Sequence, residues 1–69
     1  SKPIPSPEGR RVLIITGAYR GEKCICLGRA AREDHWAVSP DASAAILELR
    51  FEKEFALLSE IAARRSLRD

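Results

Sequence analysis

The chain has 69 residues, 45% of them hydrophobic and 32% charged, with a net charge of +2. That is enough for one small domain with a thin core, and too little apolar content in any one run to cross a bilayer by a helix. The +2 conceals a polar distribution: residues 1–32 sum to +5, residues 33–60 to −5 and the last nine to +2. Nine of the twelve basic residues are Arg, which favours bidentate phosphate contacts and stacking over point-charge pairing.

Residues 1–9, SKPIPSPEG, carry three prolines, two serines and a glycine and predict a disordered linker. A start of Ser-Lys-Pro without Met suggests a piece of a longer protein. The domain is expected over residues 10–60, followed by a basic tail at 61–69. Arg11 to Thr16 is β-branched and apolar, a first strand closed by Gly17. Gly17-Ala18-Tyr19-Arg20-Gly21 predicts a compact turn with positive φ at one or both glycines. Lys23 to Leu27 is a second strand with Cys24 and Cys26 on one face and Ile25 and Leu27 on the other. Gly28 to Asp34 is expected as a loop, His35 to Val38 as a third strand, and Ser39 to Ala42 as a turn with Pro40 at its second position.

Residues 43–51 alternate as a fourth strand, with Ala45, Leu47 and Leu49 inward and Glu48 and Arg50 outward. Beyond it, Phe51, Phe55, Leu58 and Ala62 recur at helical spacing, yet a small barrel needs a closing strand. The reading that meets both demands is one helical turn at Glu52 to Phe55, a closing strand at Ala56 to Leu58, then a frayed or helical basic tail. Short strands at regular spacing with turn signals between them predict an all-β, five-stranded antiparallel barrel.

Two cysteines two residues apart make neither a disulfide framework nor a zinc site, since only His35 is left to add a ligand. On a strand they act as small core residues, which points to a reducing compartment. His35 has no nucleophile pattern around it, and Gly17 to Gly21 lacks the Lys-Ser/Thr of a phosphate loop and does not open a helix. No enzyme, cofactor or metal site is therefore expected.

Two binding chemistries remain. Tyr19 beside Arg20 pairs a stacking ring with a guanidinium, suited to single-stranded RNA, with Arg10, Arg11, Lys23, Arg29 and Arg32 as further phosphate contacts. The structural alternative has Tyr19 covering the barrel rim and Arg20 pairing with Glu22. In the second chemistry, Trp36 anchors a proline-rich or basic peptide partner beside an acidic face of Glu48, Glu52 and Glu54, unless the indole simply fills the core.

Residues 11–27, RVLIITGAYRGEKCICL, resemble a KOW motif: a hydrophobic strand, then Gly17, Arg20 and Gly21 in order, then a second hydrophobic strand. Gly9-Arg10-Arg11-Val12-Leu13 ahead of that turn is similar to the C-terminal KOW domain of the Kin-type nuclear nucleic-acid-binding proteins, and Phe51-Glu52-Lys53-Glu54-Phe55 matches the segment before that family's closing strand. Cys24 stands where the motif usually carries a further Gly. The resemblance implies an SH3-like barrel, a monomeric accessory domain of a nuclear protein of transcription or mRNA processing (cytosolic as second choice), and RNA or another nucleic acid as ligand with no membrane role.

Overall fold

A computed structural model describes residues 6–68, with side chains through residue 65. Five strands and one helix follow in order: β1 Arg11–Ile14, β2 Lys23–Arg29, β3 Trp36–Pro40, β4 Leu47–Leu49, β5 Phe55–Leu57 and α1 Leu58–Arg68. The strands form one antiparallel sheet in the order β4-β3-β2-β1-β5. The architecture is thus a small β-rich fold with a short helix. The closed barrel expected from the sequence is not formed: β4 and β5 stay as the two sheet edges, and the isolated bridge between Phe51 and Phe55 is a local one, formed outside β4. Three-residue strands at both ends carry too few ladder positions to meet edge to edge.

Alternation builds the core. Val12 and Ile14 of β1, Cys24 and Cys26 of β2, Val38 of β3 and Phe55 and Leu57 of β5 are buried on one face of the sheet. Trp36, Leu47, Leu49 and Phe51 close over this cluster half-buried. The opposite positions, Ile25 and Leu27, are exposed. Both cysteines are free thiols, and burial raises their pKa above the ordinary value. Because the thiolate is the nucleophile, iodoacetamide at neutral pH should leave both residues unmodified in the folded protein and alkylate both in urea. Rapid labelling of either under native conditions would place it outside the core.

Several boundaries differ from the sequence reading. Strand β1 stops at Ile14 instead of Thr16, β3 runs from Trp36 to Pro40 instead of His35 to Val38, and β4 keeps only Leu47–Leu49 of the expected 43–51, with Ala45 outside it. Residues 1–5 of the expected linker lie outside the described residues, but residues 6–9 are packed: Pro7 is fully buried, and the Gly9 N–H donates to the Cys26 carbonyl at 2.8 Å. The chain there runs along the end of β2, where a buried pyrrolidine needs no hydrogen bond of its own. Pro40 ends β3, buried opposite Cys24, and is the first residue of the turn instead of its second: its carbonyl accepts from the Ser43 N–H at 3.3 Å, while the Asp41 N–H donates to the Lys23 carbonyl at 2.9 Å. β2 continues through Arg29, past Leu27, because a bulge between Cys26 and Gly28 keeps it paired with β3.

The last difference lies after β4. A turn, not a helical one, covers residues 52–54, and the closing strand starts at Phe55, one residue earlier than expected. The Glu52 N–H donates to the Phe55 carbonyl at 2.8 Å, and the core needs the Phe55 ring on its inner face. Helix α1 then begins at Leu58, so the segment expected as a tail is part of the packed unit. Its Glu60 in the first turn and Arg64 and Arg65 further along complement the helix dipole.

Candidate nucleic-acid interface

The β1–β2 loop is fixed by its own backbone. Gly21 N–H donates to the Ile14 carbonyl at 2.8 Å, Ile14 N–H to Glu22 at 3.0 Å, Arg20 N–H to Gly17 at 3.1 Å and Glu22 N–H to Tyr19 at 3.0 Å. Gly17 and Gly21 hold φ of 82° and 91°, a region where a Cβ costs about 1–2 kcal/mol. Between these two glycines Tyr19, 42% exposed, and Arg20 are carried out into solvent. Arg20 does not pair with Glu22: among the described residues, ion pairs form only between Arg11 and Asp41 and between Arg50 and Glu54.

Helix α1 packs across β1 and β5, and Ile61 shares two adjoining shallow grooves with Leu13. Lys23 and Gly21 line one, Arg20 and Gly21 the other, and Arg65 lines both. Among the described residues, no carboxylate borders either groove. A third groove across the helix, lined by Ile15, Glu52, Ala56, Glu60, Ile61 and Arg64, mixes signs. The result is a strip where Arg20, Lys23 and Arg65 flank an apolar floor, with Tyr19 on the same loop. Arg64 and Arg65 were missed in the sequence reading. The signal was present in Leu58, Ile61 and Arg65, whose spacing sets them on one helix face, but only a helix docked on β1 gives that face a meaning.

The other expected contacts are spread more widely. Arg10 donates to Ser59 Oγ at the start of α1 at 3.3 Å. Arg11 makes a two-pronged contact with Asp41, Nη1 to Oδ1 at 2.8 Å, and its guanidinium holds the Asp41 carboxyl below the usual range. Arg29 and Arg32 stand at the far end of β2 and in the loop after it, about 20 Å from Lys23 at ~3.3 Å per residue. Arg29 lies over the Trp36 ring, 4.9 Å from its centroid. His35 Nδ1 lies 2.8 Å from the Glu33 carbonyl oxygen, and among the described residues no group of three or more His, Cys, Asp or Glu is gathered for a metal.

The residues of the peptide-binding alternative do not form one face. Trp36 is half-buried against the core. Glu48 is exposed on the opposite side of β4 from Leu49, which pairs with Trp36. Glu52 sits in the β4–β5 turn at φ 71°. Glu54 accepts both the Arg50 backbone N–H and Nε–H at 3.0 Å, and those two bonds hold its carboxyl below the usual carboxylate range. Comparison with protein-family models, with curated proteins and with solved structures gave no match, so the likeness to the KOW family stands on the residues of this chain alone.

Proposed function

We propose that this chain is a non-catalytic, RNA-binding module, an SH3-like domain of the KOW type within a larger nuclear protein of transcription or RNA processing. The observation that carries the reading is the convergence of Arg20, Lys23 and Arg65 on two grooves next to the loop that carries Tyr19; among the described residues none of the three is in an ion pair and no carboxylate lines either groove. Cations on a fixed scaffold take backbone phosphates, and an exposed ring at a loop tip stacks an unpaired base. Phosphate contacts dominate such an interface, so binding is weak, falls with salt and discriminates little between sequences. Five antiparallel strands with β5 returned to β1 support the SH3-like assignment.

Amide shift mapping with a short single-stranded RNA tests the location. The expected changes cluster at Gly17 to Lys23 and along α1 to Arg65. Changes confined to β4 and the β4–β5 turn would replace this reading with the peptide-binding one.

A further inference from the structure

The opposite end of the sheet holds a second recess with its own chemistry. The bulge in β2 is its cause. Alternation from Cys24 and Cys26 sends Gly28 inward and Arg29 outward, but the extra residue between Cys26 and Gly28 reverses this, and Arg29 pairs with Trp36 on Trp36's side of the sheet. Its guanidinium carbon lies 4.9 Å from the indole centroid. Around this pair, Asp34 of the β2–β3 loop and Arg50, Phe51 and Lys53 of the β4–β5 connection line an open recess of about 380 Å³. The lining therefore carries three cations, two aromatic rings and one carboxylate.

We propose that this recess is a second subsite for a nucleotide of single-stranded nucleic acid, an assignment that rests on the RNA-binding reading above. A base stacks against the Arg29–Trp36 pair, with Phe51 as the neighbouring wall, and its phosphate is held by Lys53 and Arg50. Guanidinium planes stack bases as aromatic rings do, and a guanidinium already seated on an indole loses less freedom when a base arrives. Glu54 takes the Arg50 Nε–H and leaves both Nη groups without a hydrogen bond among the described residues, a fork of the shape that phosphate accepts. Asp34 forms no ion pair among the described residues and supplies an acceptor for the amino group of a base. With Arg29, Arg50 and Lys53 set against Asp34 and Glu54, the recess keeps a net positive charge, which favours a phosphate over a basic segment.

Trp36 is the only tryptophan, so its emission reports on the recess alone. The test uses the whole chain and a short single-stranded RNA carrying a dye that absorbs outside the Trp36 emission band. Dye anisotropy reads binding, and Trp36 emission reads occupancy of the recess. The expected result is a Trp36 change that saturates with the anisotropy, and an affinity lowered about three- to tenfold in Lys53→Glu, a substitution at an exposed position outside the core. Binding by anisotropy with silent Trp36 emission and an unaffected Lys53→Glu protein would overturn the subsite while leaving the loop–helix interface standing. Absence of binding altogether would sink both. A Trp36 response to a proline-rich or phosphorylated peptide, with none to the RNA, would overturn the assignment in favour of a protein partner.

Discussion

Phe55→Ala leaves the chain largely unfolded at room temperature. Phe55 is fully buried and, across the ladder, opposite Ile14; its ring lies 5.5 Å from that of Phe51, and its carbonyl anchors the turn before β5. Deleting a buried phenyl group costs about 3–5 kcal/mol. A domain of this size commands about 5 kcal/mol in all, and among the described residues seven apolar side chains form its buried cluster. The same substitution at Ile25, 38% exposed on the other face, should change the melting midpoint little. Thermal melts followed by circular dichroism, with an amide spectrum of each variant, check both. A Phe55→Ala protein that melts within a few degrees of the parent would mean that the core is centred elsewhere.

Reversing charge at both Arg20 and Arg65 weakens RNA binding by about tenfold or more. It also flattens the dependence of log affinity on log salt by about 1.4, at ~0.7 for each single-strand phosphate left without its cation. Both side chains are exposed and form no ion pair among the described residues, so reversal costs the fold no more than Arg65's small contribution to the helix dipole. Arg32→Glu is the matched control for each single reversal, Arg20→Glu or Arg65→Glu: it makes the same change of charge at the far end of the sheet, away from Tyr19. Its effect should be the smaller one, exerted through the overall field and not at a particular phosphate. An Arg32→Glu effect equal to that of either single reversal, Arg20→Glu or Arg65→Glu, would show that net charge alone, and no particular surface, attracts the RNA.

Much of this architecture is legible in the residues themselves. The period-2 pattern in RVLI and KCICL decides which faces of β1 and β2 turn inward, because a strand has only two faces and one of them is plainly apolar. Glycines at 17 and 21 mark the loop for the same local reason, the need for positive φ. The failures are non-local. Nothing around Arg29 announces a bulge, which arises from the pairing of β2 with β3 and places that side chain on the side opposite to simple alternation. Pro7 reads as linker because its neighbours are Ser, Glu and Gly; the backbone bonds of Gly9 and Arg10 with Cys26, which tie this segment to β2, are not announced by the local sequence. Closure fails similarly, since alternation predicts strands but not whether the two edge strands meet. The site divides along the same line. Tyr19, Arg20 and Lys23 are visible as a local motif, whereas Arg65 joins them only through the packing of α1 on β1.

The central claim is that a fixed strip of cations on this domain takes the phosphates of single-stranded RNA. Fluorescence anisotropy of the unmodified protein with a dye-labelled RNA about ten nucleotides long, at about 50 and 200 mM salt, tests it most directly. Three phosphate contacts, from Arg20, Lys23 and Arg65, predict an affinity that falls about tenfold or more between the two conditions. No binding at the lower salt, or an affinity indifferent to salt, would contradict the account.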